Sequence, residues 1–407
     1  MEVDSSPDVA SQPLPGQHPL QLVPGSPVLS FDSLVGGKNN NPSILDTNNI
    51  VYLTSGRMAI AQALLLNNIG PGDEVLVPAY HCSSMIAPIE YSGAKPVFYK
   101  IQKNMSVDMK DINKKLSSKT RLLLVAHYFG FPQPIKEIKR FCTEKNILLL
   151  EDCAHALFTE VENRPLGSFG DYAAGSLMKF FPVNDGGFLV ASENNLLSIN
   201  TLPGGKGFEL RTILNTLEKS FMYNRLKALN LILKLPLTLK NLIWKRLKSK
   251  NSISAINALP AASDGGFGFE PKWINTRISW FSKLICKLTS TSKIIDRRKK
   301  NYNILQSAFK DTSECYPLFP NLHDGVVPYV FPIIVENVDP AFKNLRALGV
   351  PLLRWEYLHD EVNNMVCSTS HYYSRHLIQI PCHQELEEGE IRWMAENIKS
   401  ELMQYHL

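Results

Sequence analysis

The feature that most constrains this chain is an alternation between residues 74 and 152. Short, almost wholly apolar runs take turns with amphipathic ones. Glu74-Val-Leu-Val-Pro78, Lys95-Pro-Val-Phe-Tyr99, Arg121-Leu-Leu-Leu-Val-Ala-His127 and Asn146-Ile-Leu-Leu-Leu-Glu-Asp152 read as strands. Strands with no polar face must be covered on both sides, which means a parallel sheet with helices packed against each face. The run from Ala79 to Gly93 and the run Ile135-Lys-Glu-Ile-Lys-Arg-Phe-Cys142 supply such helices. In open sheets of this kind ligands sit beyond the carboxyl ends of the strands. Tyr80, His81, His127, Asp152 and His155 all fall at those ends.

A second stretch carries the chemistry. Gly175-Ser-Leu-Met-Lys-Phe-Phe-Pro-Val-Asn-Asp-Gly-Gly187 reads as buried strand, tight turn, buried strand, with the lone Lys179 inside it. A lysine held in an apolar site has its pKa pushed down, and a neutral amine is what Schiff-base chemistry requires. The plain alternative is a lysine snorkelling from a strand end. Upstream, Val51-Tyr-Leu-Thr-Ser-Gly56 is strand-like and leads into the helix Arg57-Met-Ala-Ile-Ala-Gln-Ala-Leu-Leu-Leu66. Ser55 and Gly56 leave free N–H groups at that helix start, and Arg57 adds a positive charge. Such a terminus suits a phosphate, although an ordinary N-cap with a surface arginine would read the same way.

Lysine, an acid at a strand end and an anion-binding helix start together fit pyridoxal phosphate. That cofactor needs an amine for its aldehyde, a carboxylate for its ring nitrogen and donors for its phosphate. The runs Leu53-Thr-Ser-Gly-Arg-Met-Ala-Ile60, Gly70-Pro-Gly-Asp-Glu-Val-Leu-Val-Pro-Ala-Tyr-His-Cys82, Leu150-Glu-Asp-Cys-Ala-His-Ala156, Leu166-Gly-Ser-Phe-Gly-Asp171 and Asn275-Thr-Arg277 resemble the DegT/DnrJ/EryC1/StrS family. These are pyridoxal-phosphate-dependent sugar aminotransferases. The similarity is strong over residues 50–195 and weak over 270–400.

The resemblance implies an aspartate-aminotransferase-like α/β fold, with a mostly parallel large domain and a smaller α+β C-terminal domain. It also implies that Lys179 bonds to the cofactor and shuttles the proton, that Asp152 pairs with the ring nitrogen, and that His155 lies by the ring oxygen or the donor. Ser55, Gly56, Arg57 and Ser176 would hold the phosphate, and Asn275 would reach the phosphate of a neighbouring subunit in a homodimer. The amino donor would be glutamate and the acceptor a nucleotide-linked keto-sugar. Departures from the family are local. Arg57 replaces its threonine, and the segment from Asp171 to Lys179 is shorter than its pattern. The position of the aromatic that stacks on the cofactor falls at Cys82, which leaves Tyr80 or His81 for that task.

Composition frames the rest. Residues 1–45, rich in Pro, Ser, Gly and Asn, read as a loose N-terminal arm, residues 46–272 as the large domain and 273–407 as the small one. Residues 217–250 set lysines and arginines among Leu, Ile, Phe and Trp244, as in basic amphipathic helices. They would either pack on their own core or touch a membrane surface. The Asp-Arg-Arg-Lys-Lys run at 296–300 reads as a solvated face. Net charge of +5 on 407 residues, with no basic, aromatic-laced domain, gives nucleic acid little to bind. Seven scattered cysteines without a C-x-x-C pair fit reduced thiols in a cytoplasmic protein and no metal site. Glu2 and Asp4, with no basic start or long apolar run, lead us to expect no signal peptide in this stretch. Other readings are a sugar dehydratase, which would carry histidine in place of Lys179, a thiol enzyme using Cys82 or Cys382, and a non-catalytic binding protein.

Overall fold

A computed structural model describes residues 22–34, 43–193, 196–226, 269–336 and 338–404. Its centre is a seven-stranded sheet. The strands are β1 (Ile50–Leu53), β2 (Glu74–Pro78), β3 (Lys95–Tyr99), β4 (Thr120–Ala126), β5 (Leu148–Asp152), β8 (Tyr172–Ser176) and β9 (Gly187–Ala191), in the order β1-β9-β8-β5-β4-β2-β3. Neighbours from β3 to β8 pair in parallel. Only β9 runs against its two neighbours. Strand β4 has one exposed residue, Arg121, and β5 is buried from Leu149 to Asp152, so helices must cover both faces.

Three helices of this domain follow the expected pattern, α1 (Gly56–Leu66), α2 (Ser83–Ser92) and α4 (Ile135–Lys145), and a short α3 (Met109–Lys115), not read from the sequence, lies between β3 and β4. Helix α2 stops at Gly93, whose φ of +82° is the left-handed cap that glycine adopts without strain. Helix α4 sinks Ile135, Ile138 and Cys142, shows Lys136 and Lys145 to solvent, and pairs Lys139 with Asp171 at 2.6 Å. Glycines set how closely the pieces approach. A Cβ on Gly187 would meet the Ser55 carbonyl carbon at 2.1 Å, and one on Gly56 would meet the Gly175 oxygen at 3.1 Å. The start of α1 therefore lies directly against the β8–β9 hairpin.

A two-stranded ribbon, β6 (Glu160–Val161) with β7 (Arg164–Pro165), crosses the surface. Helix α5 (Lys206–Met222) follows β9. It begins well before the expected basic segment, whose part from 227 to 250 lies outside the described residues. No described helix is long and apolar enough to cross a membrane. The chain resumes at 269 and enters α6 (Trp280–Leu288) and α7 (Thr291–Phe309). Asp185, in the Asp-Gly-Gly turn, takes up the start of α6. It accepts the Ser279 N–H at 2.7 Å and the Ser279 hydroxyl at 2.8 Å.

The smaller domain is an antiparallel sheet of β10 (Cys315–Pro317), β11 (Val330–Val335) and β12 (Leu377–Pro381), with α7, α8 (Val338–Ala347), α9 (Ser368–His376) and α10 (Glu388–Met403). Two expectations need adjustment. Residues 22–34 are not loose: Val23, Val28 and Leu29 are buried, and the Ser30 hydroxyl donates to Glu385 at 2.7 Å. The proline-rich composition hid those few apolar anchors. Nor is the 296–300 run wholly solvated, because Arg298 is completely buried. It shares the stripe of Ile294, Tyr302, Leu305 and Phe309, and that helical spacing is what buries it.

Candidate active site

Strands β1, β2, β4, β5 and β8 all end at one edge of the sheet, and the expected residues gather there. Strand β5 presents two neighbouring acids to opposite faces. Glu151 points into the fold. Its oxygens accept the N–H groups of Gly167 (3.0 Å), Phe169 (2.8 Å) and Gly170 (2.5 Å), and the His127 ring at 3.0 Å. His127 in turn accepts the Gln133 N–H on its Nδ1 at 3.1 Å, so its Nε2 is the donor to Glu151. The Gly-Ser-Phe-Gly motif is thus a loop wrapped around a carboxylate. Cys153 completes a buried trio whose ligand atoms lie within 4.8 Å of one another, but the hydrogen bonds already occupy Glu151 and His127.

Asp152 faces the other way. It is buried and accepts one local N–H, from Ala154 at 2.9 Å. Burial pushes its carboxyl above the usual range, and the nearby Lys179 charge pulls it back. A buried carboxylate with so few donors has room for a cationic N–H partner.

His155 lies between two rings. Phe129 stacks on it with centroids 5.7 Å apart, and Tyr329 at 4.4 Å. The Phe129–Gly130 turn makes this sandwich. Both residues have positive φ, at +58° and +106°, and a Cβ on Gly130 would meet the Val327 oxygen at 2.4 Å. That close approach brings residues 327–329 against the end of β4. His155 Nδ1 accepts the Phe129 N–H at 3.4 Å, which assigns the proton to Nε2. Burial, helped by the Lys179 charge, holds the ring pKa well below its usual value, so it is neutral. Its Nε2 is buried and has no hydrogen-bond partner. A donor in that state lacks an acceptor oxygen.

Lys179 ends a single 3-10 turn, Leu177–Lys179, between β8 and β9, a step off the strand itself. Its Nζ lies 5.4 Å from the centre of the Tyr329 ring. Trp355, from the small domain, packs against the same group, with its ring centroid 5.3 Å from those of both His155 and Tyr80. Tyr80 is fully buried and its hydroxyl, too, has no partner.

The remaining expected residues divide. Ser55 caps α1 without a side-chain cap bond, Ser176 is buried at the end of β8, and Arg57 is buried in the first turn of α1. These three and Gly56 form one corner, because Gly56 touches Gly175 and Ser176. Cys82 is a buried N-cap of α2, with no aromatic character to offer. His81 is occupied elsewhere. Its Nε2 accepts the His359 N–H at 3.0 Å, Nδ1 faces the Pro78 and Ala79 carbonyls, and burial pushes its pKa down to about 4. It ties the Trp355-bearing loop to the large domain. Asn275 is exposed, and its Oδ1 accepts from Gln62 at 2.7 Å. All seven cysteines are free thiols, and burial pushes Cys382 up to about 12, so no thiolate nucleophile arises there. Tyr329, Phe129 and Trp355 carried no local sequence signal, since each reaches the site only through tertiary packing.

This architecture is shared with solved aminotransferases. The chain superposes on TlmJ, an aminotransferase from Streptoalloteichus hindustanus, with a TM-score of 0.61 at 16% identity, covering 88% of this chain and 87% of the other. It does so on Helicobacter pylori PseC, an aminotransferase of pseudoaminic acid biosynthesis, with a TM-score of 0.60, 16% identity and 87% of each chain covered.

Over residues 43–213 the chain matches the DegT/DnrJ/EryC1/StrS aminotransferase family, which is the family read from its motifs. Among curated relatives, dTDP-4-dehydro-2,3,6-trideoxy-D-glucose 4-aminotransferase of Saccharopolyspora spinosa is 32% identical over 155 residues, 37% of this chain and 40% of that protein. GDP-perosamine synthase of Escherichia coli O157:H7 is 29% identical over 157 residues, 37% of this chain and 43% of that protein. The chain thus matches about two fifths of the length of these relatives.

Proposed function

We propose that this protein is a pyridoxal-phosphate-dependent aminotransferase that moves an amino group from an amino acid, glutamate, to a nucleotide-linked keto-sugar. The observation that carries this reading is the orphaned Nε2–H of His155, buried beside Asp152 and Lys179. The residues fit the cofactor. Asp152 suits the ring nitrogen, His155 the ring oxygen, and the corner of Ser55, Gly56, Arg57 and Ser176 the phosphate. Pyridoxal phosphate, when bound, supplies an aldehyde for an amine and a ring that takes up the electron pair of a broken Cα–H bond.

The chain's own part follows from its geometry. Lys179 presents an amine from a turn fixed between two buried strands, so it can take and return a proton at Nζ without moving its backbone. Asp152, whose carboxyl burial pushes above its usual range, is held in its charged form by a cation that meets it, and so favours a protonated ring nitrogen. His155 stays neutral and donates from Nε2. Trp355 and Tyr80, both buried, exclude water, which strengthens each of these contacts. Lys179 speaks against a dehydratase of similar fold, in which histidine stands at that position.

The matched relatives include enzymes named for nucleotide sugars and a protein named for spore coat polysaccharide biosynthesis. That supports a role in surface polysaccharide or secondary-metabolite sugar synthesis. We further infer, from the family resemblance alone, a cytoplasmic homodimer in which Asn275 serves the neighbouring site. The test is a panel of nucleotide-linked keto-sugars with glutamate. Formation of 2-oxoglutarate with an amino-sugar product supports the reading. Protein that binds the cofactor but turns over no member of the panel would favour the non-catalytic alternative.

A further inference from the structure

Arg298 has no place in the reading above, yet it is the largest fully buried side chain among the described residues. An arginine so placed normally lies against a carboxylate. Here its partners are neutral oxygens. Nε donates to the Gln384 amide oxygen at 3.0 Å. One terminal nitrogen donates to the carbonyls of Pro328 (3.2 Å) and Tyr329 (3.0 Å), and the other to the carbonyl of Lys179 at 2.7 Å. The guanidinium plane lies 4.3 Å from the Phe180 ring centre. Burial lowers its pKa to about 10, so it stays charged at neutral pH.

Two of those carbonyls belong to the residues whose side chains meet in the site. Lys179 Nζ lies over the Tyr329 ring, and Tyr329 stacks on His155. They come from different domains, Lys179 from the β8–β9 turn and Tyr329 from the approach to β11. A fork with several fixed donors can register two backbones at once, which a single ammonium cannot. Gln384 extends the clamp. Its Nε2 donates to the Phe180 carbonyl at 2.7 Å, next to Lys179.

We propose that Arg298, braced by Gln384, is a positioning residue that holds the Lys179 turn and the Tyr329 segment in register, so that the Lys179 amine is aimed between Asp152 and His155. This rests on the aminotransferase reading for its purpose, but its test does not need turnover. Arg298 touches neither substrate nor cofactor in this account. It acts through the backbone of Lys179.

In cofactor-free protein, Lys179 is acetylated with a small amine-reactive reagent across a pH series and read by peptide mass. Arg298→Met moves the half-plateau pH for Lys179 upward by about half a unit, because a like charge has gone, and leaves surface lysines unchanged. Capture of pyridoxal phosphate at Lys179, fixed with borohydride, slows about tenfold. Arg298→Lys retains the charge without the fork, so it keeps the wild-type acetylation profile and still captures slowly. Gln384→Leu, which spares Arg298 should that substitution prevent folding, slows capture by about threefold.

A profile and a capture rate like those of wild type in folded Arg298→Met, with only a lower unfolding temperature, would overturn the proposal and leave Arg298 a domain fastener. Failure of wild-type protein to turn over keto-sugars, with these shifts intact, would count against the aminotransferase reading alone.

Discussion

Glu151 and Asp152 are adjacent acids at the end of one strand, and the two sides of the sheet treat them in opposite ways. On the Glu151 side every polar atom is answered. Four donors surround the carboxylate, and both nitrogens of its histidine, His127, are bonded. On the Asp152 side the carboxylate takes one local N–H, its histidine, His155, has a bare Nε2, and a lysine stands nearby. One side builds the loop and the other is left open for a guest. What separates architecture from chemistry here is unmet hydrogen-bonding capacity, because residue type and burial are nearly the same on both sides.

The comparison can be broken in four ways. Lys179→Ala removes the amine that both roles of the open side depend on. Turnover should fall by about 10²–10⁴-fold or more, measured as 2-oxoglutarate formation, with the unfolding midpoint unchanged. Glu151→Ala leaves three backbone N–H groups and the His127 Nε2–H unanswered, each at about 1–3 kcal/mol. Stability in urea should drop by roughly 3 kcal/mol or more, while the folded fraction still binds cofactor.

Asp152→Asn should do the reverse. Cofactor affinity should weaken by about 2 kcal/mol, or some thirtyfold, with the urea midpoint held or raised because a buried charge has gone. If both acid variants lost stability alike, the distinction between the two sides would be wrong. The smallest effect is in the pH dependence of stability. His155 has its folded pKa depressed, so its contribution is whole above the unfolded value of about 6.5 and is lost as pH falls below it, when only the unfolded chain takes the proton. His155→Gln should therefore flatten the fall in stability below about pH 6.5 by up to roughly 1.4 kcal/mol per pH unit. His81, also depressed, continues to titrate the unfolded chain in both proteins down to about pH 4.

Much of this was legible in the chain. Continuous apolar strands such as Leu122–Val125 imposed the covered parallel sheet, and the Asp-Gly-Gly turn set the hairpin around Lys179. Asp152 was visible because it closes a strand. Other parts were out of reach. Trp355 and Tyr329 arrive from the small domain, and no spacing in sequence reports a contact made across that distance. Arg298 sat in a basic run that composition marks as solvated, although its helical phase with Ile294 and Tyr302 carried the contrary signal. The role of Glu151 needed coordinates, since only the fold shows that its partners are the backbone of residues 167–170. Residues 22–34 were missed because two or three apolar anchors in a proline-rich stretch do not alter its composition.

The most direct test of the central claim is to incubate purified protein with pyridoxal phosphate, reduce with borohydride and map the adduct by peptide mass. The account predicts one reduced adduct, on Lys179, and a visible absorbance band in unreduced protein that bleaches when glutamate is added. An adduct spread over surface lysines, or colour that persists in Lys179→Ala, would contradict it.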